Sequence, residues 1–171
     1  MLENMKKLLR KELTKNELID FVLNHHEHKW MSINPYVKVH ITDFLERLPQ
    51  RVLQTVFYEK MTLLTPSSGR FACSVSSHHQ NVIIIFPEVH NLLTKTYDGW
   101  AKAVLAHEVG HVYLDHSKIS EDPMETQVDA DNFACDMGYL EELESFLHEQ
   151  PESVEKRVRL SFITSYYFAN N

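Results

Sequence analysis

The chain has 171 residues, of which 43% are hydrophobic, 11% aromatic and 24% charged, with 4 glycines and 6 prolines. This composition excludes collagen-like, low-complexity and disordered chains, and the length suffices for one hydrophobic core. Net charge is −7 with no concentrated basic stripe, and the longest apolar run, Val82 to Phe86, is only five residues, so neither nucleic acid nor a membrane is an expected partner.

The charge is unevenly spread: residues 121–171 hold 12 acidic against 3 basic side chains. Such a run reads as a solvated helical face, with attraction of a basic partner as the functional alternative. Two cysteines, Cys73 and Cys135, make no disulfide framework. Met1 to Lys15 is charged throughout without an apolar stretch, which reads as no secretory signal, so the expected compartment is the cytoplasm.

Residues 2–12 read as a short amphipathic helix. Thr14 and Glu17 then fit a capping box, with Leu18, Phe21 and Val22 on one helical face. His25, His26 and His28 follow near Trp30. They read as an exposed helix end rather than a metal group, because ligands need a fixed, convergent geometry. Pro35 to Leu48 looks helical and is stopped by Pro49. Val52 to Tyr58, rich in β-branched and aromatic residues, predicts a strand. A turn over Pro66 to Gly69 leads to strands at Phe71 to Ser76 and Val82 to Phe86, forming a hairpin about His78 to Asn81. After Pro87 the spacing predicts helices over Asp98 to His116, with Asp98 as N-cap, over Pro123 to Met137, ended by Gly138, over Tyr139 to Glu149, and from Pro151 to Tyr167. The expected fold is α+β, a small, mostly antiparallel sheet packed on helices. It is read as a single domain over 1–171, with 1–50 as an N-terminal helical extension and 51–171 as the core.

The chemistry concentrates at His107-Glu108-Val109-Gly110-His111, an H-E-x-x-H. On a helix, positions i and i+4 share a face, so both imidazoles can reach one Zn²⁺ at about 2.0–2.1 Å. Glu108 stands beside the first ligand, where it can take a proton from water held by the metal. Gly110 costs a helix interior about 1 kcal/mol, which makes sense where another segment approaches closely.

The segment from about Val82 to Arg159 resembles the small soluble metallopeptidases related to HtpX and the CAAX prenyl proteases, and the ImmA/IrrE family of bacterial and phage regulators. The resemblance rests on the strand Val82 to Phe86, on Ala106 to His116, on Ala130-Asp131-Asn132-Phe133-Ala134, and on Ser153 to Val158. It implies a zincin-like fold of the minimal gluzincin kind, a zinc ion, and a third ligand from the helix after the motif. It also implies that Asp131 supports a histidine, that Arg157 stabilises an oxyanion, and that Val82 to Phe86 is an edge strand on which a peptide pairs. The families carry a ligand Glu three residues before the Ala of A-[DN]-x-F-A; here that place is Gln127.

Several readings of the third ligand stand side by side. Gln127 binds through its carbonyl oxygen, or Asp131 itself ligates. Alternatively the register shifts so that Glu125 and Asp129 supply the E-x-x-x-D. A neutral amide is a weaker ligand than a carboxylate, so a site that binds metal poorly is the fourth. His116, five residues after His111, would lie about 140° from the ligand face on a continued helix and is not counted as a ligand. Tyr113 and Tyr139 are alternatives to Arg157 at the oxyanion, or ordinary packing residues. Cys135 reads as a small buried hydrophobe.

The expected function is zinc-dependent hydrolysis of peptide bonds in a protein substrate, with Glu108 as general base, His107, His111, Gln127 and Asp131 as metal residues, and a possible regulatory role. The ImmA/IrrE resemblance suggests a repressor as substrate, although no helix-turn-helix is evident. The alternative is a catalytically degenerate zincin that binds a protein partner.

Overall fold

The computed structural model describes residues 13–67, 72–76, 80–116 and 122–170. The expected helix over 2–12 lies outside them. Helix α1 (Lys15–Leu23) opens on the expected capping box: the Thr14 amide donates to Glu17 Oε2 at 2.9 Å, and the Glu17 amide donates to Thr14 Oγ1 at 3.3 Å. Leu18 and Val22 turn into the core and Phe21 packs against it. A 3-10 turn over His26–Ser32 follows. His28 is buried there: its Nδ1 meets the Val22 carbonyl at 2.6 Å, and its Nε2 accepts from the Leu64 amide at 3.0 Å. Both ring nitrogens are thus spent joining α1 to the sheet, and desolvation by burial lowers its pKa. His25 caps the turn by accepting from the Glu27 amide.

Helix α2 (Pro35–Arg47) has Asn34 as its cap and Pro35 in its first turn, and it gives way at Pro49 to α3 (Gln50–Leu53). The chain then continues as a π-helix over Gln54–Glu59. The strand expected at Val52 to Tyr58 is therefore helical. Its buried residues are Val52, Leu53, Val56 and Phe57, spaced i, i+1, i+4, i+5, which is one helical face. Burial on that face outweighs the β-branched preference, which is a weak, context-dependent bias.

The sheet has three strands, β1 (Leu63–Pro66), β2 (Ala72–Ser76) and β3 (Asn81–Ile85), in the order β1-β3-β2. β2 pairs antiparallel with β3, Ser74 opposite Ile83. The turn of the expected hairpin lies largely outside the described residues. β1 pairs parallel with β3, Leu64 opposite Ile83, so the sheet is mixed where a mostly antiparallel one was expected. β3 is its central strand, with Ile83 and Ile85 fully buried. The expectation that Val82 to Phe86 forms an edge is thus overturned, and β1 and β2 hold the edges instead.

Pro87 ends β3 and opens α4 (Pro87–Leu93). Helix α5 (Ala101–Tyr113) carries the H-E-x-x-H and is buried nearly all round, as a helix at the centre of a core must be. Asp98 does not cap it through its side chain; its carboxylate sits 3.2 Å from Lys102 Nζ. Helices α6 (Pro123–Asp136), α7 (Leu140–Glu149) and α8 (Val154–Asn170) follow. Asp122 caps α6, accepting from the Met124 amide at 2.9 Å, and Gly138 at φ +82° ends it. The close approach expected at Gly110 is present: a Cβ there would stand 3.1 Å from Phe133 Cβ and 3.3 Å from Ala130 Cα. One core runs from Leu18 of α1 to Ile163 of α8. The architecture is α+β. No helix among the described residues is long and apolar enough to cross a membrane.

Candidate metal centre

Helix α5 places His107 and His111 one turn apart, and their Nε2 atoms converge to 3.1 Å. Their outward nitrogens are both engaged. His107 Nδ1 lies 2.8 Å from Asp131 Oδ1 on α6. Asp131 is fully buried, and Arg159 of α8 grips it with two bonds, Nε to Oδ2 and Nη2 to Oδ1, each 2.7 Å. Burial alone would raise the Asp131 pKa. The hydrogen bonds and positive charge of His107 and Arg159 outweigh it and hold the carboxyl below its ordinary range. An ionised Asp131 only accepts, so His107 carries its proton on Nδ1 and presents the Nε2 lone pair towards His111.

His111 Nδ1 lies 2.8 Å from His116 Nδ1. Desolvation by burial, then the electrostatic influence of the neighbouring His107 and His116 rings and the Arg159 guanidinium, lowers the His111 pKa to about 3, so its imidazole is neutral at physiological pH. His116 comes within reach because α5 stops at Tyr113. Asp115 takes φ +60°, the Asp115 amide donates to the Val112 carbonyl, and the His116 amide donates to that of His111. This is a Schellman ending with aspartate where glycine is usual. Lys60, at the end of the π-helix, braces it: Nζ donates to the Val112 carbonyl at 2.5 Å and to Asp115 Oδ1 at 2.6 Å.

Glu108 is 8% exposed and points towards β2. Its carboxylate accepts from both the hydroxyl and the backbone amide of Ser74. Desolvation raises its pKa above the usual carboxylate value, and the charge of His107 and the Ser74 bonds pull it only part of the way back. A raised carboxyl beside an imidazole is an electrostatic profile suited to general-base chemistry.

The remaining expected residues divide. Asp131 stands behind His107, bonded to the nitrogen that faces away from His111, which is a supporting place rather than a ligand's. Gln127 lies one turn before Asp131 on the same face of α6 and is half-buried. Glu125 is exposed, and Asp129 is exposed with its Oδ2 3.9 Å from His116 Nε2. Among the described residues no third His, Cys, Asp or Glu completes a metal-holding group with the two histidines. Arg157 is exposed, and the guanidinium that enters the cluster is Arg159. Two residues on a helix stand about 200° apart, so α8 cannot turn both inward. Tyr139 is a core residue packed on Phe44 with Arg47 over its ring, and Tyr113 packs on Phe133. Burial, with Asp131 and Asp136 nearby, pushes the Cys135 thiol up to about 12, which suits an inert buried hydrophobe.

Sequence reasoning missed Arg159, Ser74 and Lys60. For Arg159 a signal existed: Lys156, Arg159 and Ile163 fall on one helical stripe and are the buried positions of α8. Ser74 and Lys60 meet α5 only through tertiary packing. No protein family, curated protein or solved structure matches this chain in comparisons with all three.

Proposed function

We propose that the chain is a zinc-dependent metallopeptidase of the zincin type, acting on peptide bonds of a protein substrate in the cytoplasm. The observation that carries this reading is the 3.1 Å approach of His107 Nε2 to His111 Nε2 beside a buried Glu108. Two nitrogens bound to one tetrahedral zinc stand roughly 3.3–3.4 Å apart, so the pair is spaced as zinc ligands are. His107 and His111 would hold the ion through Nε2, and Gln127, half-buried one turn before Asp131, would be the α6 residue to add a carbonyl oxygen. Zinc bound there supplies Lewis acidity towards a peptide carbonyl and the attacking water.

The chain's own residues account for the rest. Asp131, clamped by Arg159, fixes the His107 ring. Glu108 accepts a proton from the attacking water and returns it to the leaving amine. Burial keeps its carboxyl basic enough for the first transfer and acidic enough when protonated for the second. A substrate strand adding to the sheet would pair with the β2 edge rather than with β3, which has neighbours on both sides. At Ser74 the amide already serves Glu108, so pairing at that position requires Glu108 to release it.

A second reading, a degenerate zincin that binds a protein partner, is favoured by Gln127 standing where a carboxylate is expected. Hydrolysis of unfolded protein by the zinc-loaded chain, compared with Glu108→Gln, separates the two. The peptidase reading expects turnover in the wild type and none in the variant, with zinc retained in both. Equal background from the two proteins rejects it.

A further inference from the structure

A histidine that holds a metal through Nε2 must place its one proton on Nδ1, and that proton needs an acceptor. Asp131 plays this part for His107. Among the described residues no carboxylate plays it for His111, whose Nδ1 faces a second imidazole, that of His116, at 2.8 Å. Two ring nitrogens at that distance share one proton, which gives two arrangements. If His116 donates, His111 carries its proton on Nε2, and the N–H points at His107 Nε2, 3.1 Å away. A proton then fills the place between the two histidines. If His111 donates, two lone pairs face each other across that gap and only a cation reconciles them.

The other nitrogen of His116 decides between these. The side chain is only 8% exposed, and Nε2 lies 3.9 Å from Asp129 Oδ2. A carboxylate on that side favours the proton on Nε2 and leaves Nδ1 as an acceptor. The Schellman ending of α5 and the Lys60 brace hold His116 in place for this. We propose that His116, oriented by Asp129, is a positioning residue that sets the tautomer of His111 and so makes His111 a metal ligand. Arg159–Asp131 supports His107 through bonds of 2.7–2.8 Å, whereas Asp129, at 3.9 Å and half-exposed, acts on His116 through its charge. The inference rests on the zinc reading above and adds to it the residue pair on which zinc affinity depends.

Zinc itself is the probe. The full chain, stripped of metal, is titrated with zinc against a chromophoric chelator, as wild type, His107→Ala, His116→Ala, His116→Asn and Asp129→Ala, with circular dichroism confirming the fold of each. Loss of an outer support weakens metal binding by about 10–100-fold, and that is the expectation for His116→Ala. His116→Asn keeps an acceptor oxygen close to the place of Nδ1 and is expected to stay within about threefold of wild type by the same measure. Asp129→Ala, an exposed position that folding tolerates, is expected to weaken binding several-fold. Wild-type affinity in both His116→Ala and Asp129→Ala overturns the inference and leaves the zinc site standing. Asparagine as weak as alanine overturns it too, because bulk rather than the hydrogen bond would be at work. A wild type that binds no more zinc than His107→Ala removes the zinc reading and this inference together.

Discussion

Asp131 Oδ1 lies 2.8 Å from His107 Nδ1 in a fully buried contact, and Arg159 holds the same carboxylate with two bonds. The triad ties three helices, α5, α6 and α8, at one point. It fixes the direction of the His107 ring and also makes the site part of the core's stability.

Removing Asp131 leaves the Arg159 guanidinium buried, with Glu155, at 3.3 Å, as its remaining acidic partner among the described residues. Asp131→Ala is expected to cost about 3–5 kcal/mol in urea unfolding, the usual effect of breaking a buried pair from one side. Adding Arg159→Leu to that variant is expected to recover part of the loss. A cost below about 1 kcal/mol would mean that the pair behaves as an exposed one.

Gly110→Ala tests the contact between α5 and α6. Alanine gains about 1 kcal/mol of helix propensity. Against this, its Cβ would meet Phe133 Cβ at 3.1 Å and Ala130 Cα at 3.3 Å, and forcing such a contact costs about 1–3 kcal/mol. A net fall in Tm is expected. A rise would show that the helices part easily.

The low pKa of His111 has a consequence for the metal-free protein. Its folded value, about 3, lies below the ordinary histidine value of 6.5, so the unfolded chain binds the proton more tightly. The stabilisation is complete above the unfolded value and is lost as pH falls from about 6.5 towards 3, at up to about 1.4 kcal/mol per pH unit. Unfolding midpoints taken between pH 7.5 and 4 should fall with acid in the wild type and less steeply in His111→Gln. Parallel profiles would remove His111 as the cause.

Ser74→Ala deletes one of the two donors that hold the buried Glu108 carboxylate. A hydrogen bond to a charged group contributes about 1.5–3 kcal/mol, and a loss in that range is expected. In a Glu108→Ala background the same substitution should be nearly neutral. An equal loss in both backgrounds would place the effect in strand packing.

What the sequence displayed was largely local. The capping box at Thr14 and Glu17 and the stop at Gly138 each depend on a few neighbouring residues, and both form, whereas the expected Asp98 cap does not. The close approach at Gly110 was legible because a glycine in a helix interior needs a reason. Residues 52–58 misled because their β-branched content and their helical spacing point opposite ways, and burial of Val52, Leu53, Val56 and Phe57 decided the matter. The parallel pairing of β1 with β3 depends on contacts far apart in sequence. The distance assigned to His116 assumed a helix that continued past Tyr113, whereas the left-handed turn at Asp115 brings its ring back to His111. Arg157 holds the place that the family resemblance implies, while burial on α8 selects Arg159.

The measurement that tests the central claim most directly is elemental analysis of the full chain purified without chelator or added metal, with His107→Ala alongside. The zinc site predicts about one zinc per chain, lost in the variant. Little metal in the wild type, and no difference from His107→Ala, would contradict it and leave the two α5 histidines as a packed pair in a protein-binding module.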